Sequence, residues 1–165
     1  TIGAETPRDL PVTGRNFENV HFALDYLTQQ NRINSGQNVE PEKVISAKDK
    51  IVAVIGGGDT GSDCAGVARR QGAKQIYQFE IMPKPSEKHD NFHSWPSQPN
   101  VLRTSTSHHE GCTRRLSINT KKITGTETRV DELHCIEVEW IKTDTGYKMQ
   151  EKPGTEFSFL GVIVE

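Results

Sequence analysis

The sequence predicts an α/β domain built on a parallel sheet, and three neighbouring observations predict it. A short apolar run, Ile51 to Ile55, has the length and composition of a buried strand. It feeds directly into Gly56-Gly57-Gly58-Asp59-Thr60-Gly61, and a helix-like segment follows at once. Gln75 to Met82 then alternates Tyr77, Phe79 and Ile81 against Gln78 and Glu80, as a second strand would. Strand, glycine turn, helix and strand make a β-α-β unit. The spacing Gly56-x-Gly58-x-x-Gly61 at its first junction is the dinucleotide-binding fingerprint. The expected fold is therefore a Rossmann-like dinucleotide-binding domain with a parallel sheet and covering helices.

Each glycine of the fingerprint has a physical task. Gly56 lets the chain turn tightly off the strand, Gly58 removes a side chain where backbone must approach a pyrophosphate, and Gly61 lets the helix pack closely on the strand it has left. The helix N-terminus offers unpaired N–H groups and partial positive charge to phosphates. Asp59 and Thr60 are good N-cap types, and with Gly57 they complete the candidate contacts of the turn. Gly72 is placed to end the helix in a left-handed cap, and Arg69 and Arg70 fall in the last turn, where cations favour the macrodipole. Ala65, Val67 and Ala68 give a small face for packing on a sheet. Glu80 lies about 20 residues beyond the glycines, where a carboxylate accepts hydrogen bonds from the adenosine ribose hydroxyls and repels a 2′-phosphate. The plain alternatives are a glycine-rich turn without a ligand and a solvated strand-end glutamate.

Length and charge narrow the class. A chain of 165 residues buries one core, and a net charge of −2 without a basic tract argues against nucleic acid as a partner. No apolar run reaches membrane-spanning length and no signal pattern opens the chain, so a cytoplasmic protein is expected. The cysteines Cys64, Cys112 and Cys135 are far apart and odd in number, which offers neither a disulfide framework nor a CxxC pair. From Pro83 to about Gly111 the pattern dissolves into prolines (Pro83, Pro85, Pro96, Pro99), serines and charges. Such a loop suggests a binding surface or a contact with another domain. Its histidines, His89, His93, His108 and His109, read as solvated loop residues, and no metal site is expected.

Beyond the loop the chain reads as β. Leu116 to Lys122 is one expected strand, and Leu133 to Lys142 is another, with Ile136, Val138 and Trp140 alternating against Glu137 and Glu139. Asp144-Thr145-Gly146 signals a turn, and Tyr147 to Glu151 returns antiparallel. The run Leu160 to Val164 is expected to rejoin the parallel sheet as its last strand, which makes the β segment a β-meander crossover in place of a helix. At the other end, Thr1 to Pro11 resembles a loop leaving a strand that lies outside the sequence. Asn19 to Gln30 reads as an amphipathic helix with Val20, Phe22, Ala23, Tyr26 and Leu27 on its apolar side. Residues 31–47 form a polar connector.

The segments GAETPRDLPVTGRNFENVHFALDYL, VIGGGDTGSDCAGVARRQGA, QFEIMPKPSEK and LRTSTSHHEG, with VEW near residue 139, occur in that order. Together they resemble the small (β) subunit of glutamate synthase, whose pattern runs PRDLPVPGR, GVHFAMDFL, IGGGDTGSDC, FEIMPKPPE and SSSHEEG. Where that pattern has its first glutamate, this chain reads His109. The resemblance implies a pyridine-nucleotide domain, residues 48–165, inserted into an FAD domain to which residues 1–47 belong. It implies NAD(H) or NADP(H) as the ligand of these residues. FAD, iron–sulfur clusters and a large-subunit partner belong to the complete protein, which makes glutamate from glutamine and 2-oxoglutarate. The FAD fingerprint and the cluster cysteines are absent from residues 1–165, so the chain reads as an excised domain, inactive alone, with its first helix partly uncovered. No residue reads as an acid or base for hydride transfer: there is no Tyr-x-x-x-Lys pair, since Tyr147 and Lys148 are adjacent, and no Cys-x-x-x-x-Cys redox pair. A non-catalytic dinucleotide-binding or regulatory module is the alternative function.

Overall fold

The computed structural model describes residues 9–84, 104–144 and 146–164. The readings of Thr1 to Pro7, of Pro85, Pro96 and Pro99, and of His89 and His93 fall outside the described residues. Strand β1 is Val20–His21, helix α1 Ala23–Asn34, strand β2 Ile51–Ile55, helix α2 Asp59–Arg70 and strand β3 Gln75–Glu80. A single helical turn, α3, covers Thr106–His109. The β segment follows as β4 Thr113–Leu116, β5 Ile118–Thr126, β6 Arg129–Thr143, β7 Gly146–Glu151, β8 Phe157–Leu160 and β9 Val162–Val164.

Two sheets and a helical layer make three layers. The parallel sheet has the order β1-β9-β2-β3-β4, with Ile51 to Ile55 in register with Gln75 to Phe79. β5 and β6 form an antiparallel hairpin, β7 and β8 also pair with β6, and this meander carries the chain from β4 to β9. The α/β fold with a β-meander crossover is the one the sequence predicts.

The central strand shows why its sequence is apolar throughout. Val52 and Val54 pack toward α1 and α2 in a cluster with Tyr26, Cys64, Ala65 and Ala68. Ala53, one residue out of phase, joins Phe79, Ile118, Ile123, Leu133 and Cys135 on the meander side. Successive side chains of a strand point to opposite faces, so a strand covered on both must be hydrophobic at every position. An aromatic group seals the two sheets: Tyr77 meets Phe159 edge-on at 4.7 Å between centroids, Phe79 meets Phe159 at 5.8 Å, and Arg115 lies 4.0 Å above the Phe157 ring.

Several elements differ from expectation. The helix expected over Asn19–Gln30 begins at Ala23, because Val20 and His21 pair instead with Ile163 and Val164 of β9. Its apolar side is covered in part, with Phe22 and Leu27 half-buried. Ala23 and Tyr26 are buried in the cluster shared with α2, and the Tyr26 hydroxyl donates to Gln71 Oε1 at 2.9 Å. The single strand expected over Leu116–Lys122 is broken at Ser117, whose φ of +59° turns the chain from the parallel sheet into the meander. Leu160 belongs to β8, and only Val162 onward enters the parallel sheet, between β1 and β2.

Candidate functional site

The glycine turn stands at the carboxyl end of β2, on the sheet edge where ligands of open α/β folds bind. Gly56 has a φ of +124°, a conformation side chains rarely adopt, and its N–H donates to the Phe79 carbonyl at 2.8 Å. Helix α2 follows, with Gly58 as its N-cap (φ −77°, ψ −177°). The N-cap is therefore one residue earlier than Asp59 and two earlier than Thr60, the two expected candidates. Gly58 supplies no capping side chain, so the first-turn N–H groups keep their direction toward that space. A Cβ added at Gly58 would meet nothing within 4 Å, so the ground before the turn is open. A Cβ at Gly61 would collide with the Gly56 carbonyl oxygen, which is the close helix–strand packing expected of the third glycine.

Glu80 closes the other side of the turn. Its Oε2 accepts the Gly57 N–H at 2.6 Å, and its Oε1 accepts the Met82 N–H at 2.8 Å. The residues Gly56, Gly57, Gly58, Asp59, Thr60, Gly61 and Glu80 thus come together at one edge of the sheet. An open approach, uncapped donors and a fixed carboxylate fit a pyrophosphate with an adjoining ribose.

Sequence reasoning missed what lies behind the turn. Gln78, which alternates with the apolar residues of β3, is only 1% exposed, and its amide nitrogen donates to the Gly56 carbonyl at 2.9 Å. His108 is not a solvated loop histidine. Its Nε2 lies 2.8 Å from both Gln78 Oε1 and Ser62 Oγ, and its Nδ1 accepts the Ser105 N–H at 3.0 Å. Burial, with the Arg114 and His109 charges behind it, holds its pKa below the ordinary imidazole value. His109 is exposed, as expected. The one available signal was Ser105-x-x-His108, the spacing of a capping box with histidine in the usual place of glutamate or glutamine.

The cysteines are free thiols. Burial pushes Cys64 up to about 12 and Cys135 up to about 11, so neither presents a reactive thiolate near neutral pH.

A parallel sheet with a glycine turn at its carboxyl edge, interrupted by a β-meander, defines a Rossmann-like α/β domain. The chain belongs to the pyridine nucleotide-disulphide oxidoreductase family, which its residues 1–153 match. It is 44% identical over 139 residues to the NADPH glutamate synthase small chain of Mycobacterium tuberculosis, covering 82% of this chain and 28% of that protein. Identity to the NADPH glutamate synthase small chain of Bacillus subtilis is 40% over 162 residues, covering 93% and 33%. Identity to the NADH glutamate synthase of Saccharomyces cerevisiae is 35% over 173 residues, covering 99% and 8%. The chain spans a third or less of the length of these relatives. Among solved structures, Mycobacterium tuberculosis FprA in complex with NADPH superposes with a TM-score of 0.65 at 13% identity, over 99% of this chain and 48% of that one. Thioredoxin reductase from T. acidophilum gives 0.52 at 15% identity, over 96% and 40%. At such identities the likeness is one of fold.

Proposed function

We propose that this chain is the NAD(P)H-binding domain of a glutamate synthase small-subunit-like flavoprotein oxidoreductase. In this reading residues 48–165 form the nucleotide domain, residues 1–47 flank it as part of an FAD domain, and the motif residues Gly56 to Gly61 with Glu80 hold the dinucleotide. The observation that carries it is the pairing of an open, uncapped glycine turn with a carboxylate fixed beside it by the Gly57 N–H. The relatives' names support the wider setting.

The chain's own residues do the binding and orienting. The α2 N-terminus receives the pyrophosphate, Gly58 keeps its approach clear, and Glu80 receives the ribose. A bound nicotinamide supplies hydride, and the flavin that accepts it is FAD in the complete protein. From there the electrons serve synthesis of glutamate from glutamine and 2-oxoglutarate through iron–sulfur clusters and a large subunit, in the cytoplasm. The relatives named for NADPH and for NADH leave the nucleotide to be decided by this chain's own site.

The test is a calorimetric titration of NADH and NADPH into the wild type and a Gly58→Val variant. The variant is expected to stay folded, since its side chain enters open space, and to lose nucleotide binding. Unchanged affinity in the folded variant overturns the assignment.

A further inference from the structure

Behind the glycine turn runs a polar chain with one direction, from Ser105 through His108 and Gln78 to Gly56. We propose that His108 is a positioning residue for the dinucleotide turn, acting through Gln78 on the Gly56 carbonyl. The inference rests on the reading of that turn as the nucleotide site.

The direction follows from groups that cannot exchange roles. A main-chain N–H only donates, so the Ser105 N–H at 3.0 Å makes His108 Nδ1 an acceptor and leaves the ring proton on Nε2. That N–H faces Gln78 Oε1 at 2.8 Å and is shared with Ser62 Oγ at the same distance. At the far end the Gly56 carbonyl only accepts, so it takes the Gln78 NH2 at 2.9 Å. Both ends therefore assign the same orientation of the Gln78 amide, and a flipped amide would oppose oxygen to oxygen and N–H to N–H. The relay is buried where it matters, with Gln78 1% and Ser62 3% exposed. Low local dielectric strengthens such a chain and penalises any broken link.

The carbonyl at the end of the relay is also the atom against which Gly61 packs, so its position sets both the curvature of the turn and the seat of α2. The segment carrying His108 is fixed on the same helix. Ser107 sits on Gly66, where an added Cβ would lie 2.8 Å from its Oγ, and Arg70 binds Glu110 at 2.6 Å. His108 touches no bound group itself. Its contribution is to keep the phosphate-binding backbone in one shape before the nucleotide arrives, which lowers the ordering cost of binding.

The experiment compares the wild type with His108→Phe, His108→Asn and His108→Gln in the full chain. It reads the NADH and NADPH dissociation constants, the thermal midpoint, the Gly57 and Gly58 amide resonances, and the imidazole 15N shifts. The wild-type ring is expected as the Nε2–H tautomer. His108→Phe removes the donor and should weaken nucleotide binding by about tenfold, the scale of one buried hydrogen bond left unmade, and shift both glycine amides. His108→Asn keeps an acceptor for the Ser105 N–H but cannot reach Gln78. It should lose affinity equally, and it decides the matter if the Phe variant does not fold. His108→Gln restores a donor toward Gln78 and should bind within about threefold of the wild type.

Folded Phe or Asn variants with wild-type affinity and unmoved glycine resonances overturn the proposal, as does an Nδ1–H tautomer. A wild type that binds neither nucleotide overturns the functional reading instead. The glycine resonances of the variants then still decide whether His108 shapes the turn.

Discussion

The Glu80 carboxylate and the Gly57 main chain meet in a 2.6 Å hydrogen bond that ties the end of β3 to the glycine turn after β2. With Met82 holding the second oxygen at 2.8 Å, the side chain is fixed at both atoms, yet each oxygen keeps a lone pair for a ribose hydroxyl. A 2′-phosphate at that position would face a carboxylate that cannot swing away. NADH should therefore bind more tightly than NADPH, and Glu80→Ala should reduce the ratio of their affinities by about tenfold, or about 1.4 kcal/mol. Competition between the two nucleotides measures it. A strong NADPH preference that survives Glu80→Ala shows that the ribose end is read by other residues.

Gly61→Ala separates packing from ligand approach. Its methyl would run into the Gly56 carbonyl oxygen and reach to 2.9 Å from the Gln78 amide, both firmly held. The expected cost is about 1–3 kcal/mol of stability from overpacking, read by urea denaturation. A Gly61→Ala variant as stable as the wild type would mean that α2 can shift off the turn without loss.

Gln71 is the joint between α1, α2 and the connector. Its Oε1 accepts both the Tyr26 hydroxyl at 2.9 Å and the Ala47 N–H at 2.7 Å, and its amide donates to Gln30 at 2.7 Å. Gln71→Leu leaves the N–H of buried Ala47 without its acceptor and should cost about 1–3 kcal/mol, whereas Tyr26→Phe should cost about 1 kcal/mol. Equal, negligible effects in chemical denaturation would show that α1 docks only through its apolar side.

Acidification should destabilise the fold before carboxylates titrate. His21 and His108 both have pKa values lowered from 6.5, His21 by burial first and then by Lys50, His108 by burial first and then by Arg114. Each ring takes a proton more readily in the unfolded chain than in the native one. Stability is thus full above about 6.5, falls as the pH drops below it, and levels off once the rings protonate in the fold as well. Glu151, held below its ordinary 4.5 by Lys121, acts only at lower pH. The thermal midpoint should decline as the pH drops below about 6.5, and less steeply in His108→Gln. A flat profile over that window contradicts the assigned burial of both rings.

The β-α-β start was legible in the sequence because its signals are local: a strand that must be apolar on both faces, glycines at fixed spacing, and a helix ended at Gly72, whose φ is +87°. What was not legible depends on distant partners. Val20 and His21 read as helix because their pairing partners, Ile163 and Val164, lie at the other end of the chain. The burial of Gln78 was hidden because the acceptor that justifies it, the Gly56 carbonyl, is itself a product of the turn. Ser117 gave no warning of a break, since no residue type marks the point where a chain leaves one sheet for another. His108 was hidden for the same reason as Gln78: its partners come from α2 and β3, and only the Ser105 spacing is local.

The insertion of β9 between β1 and β2 gives the sheet an order of assembly. During synthesis the glycine turn, α2 and β3 emerge early and have their neighbours at hand, whereas β1 must wait, beside a gap one strand wide, while the whole meander is made. The arrival of Val162 to Val164 completes the ladder between β1 and β2. Such late, long-range closure is slow relative to local pairing. A ribosome that stalls within the meander would hold out a half-built sheet whose β2 edge is open to any passing strand.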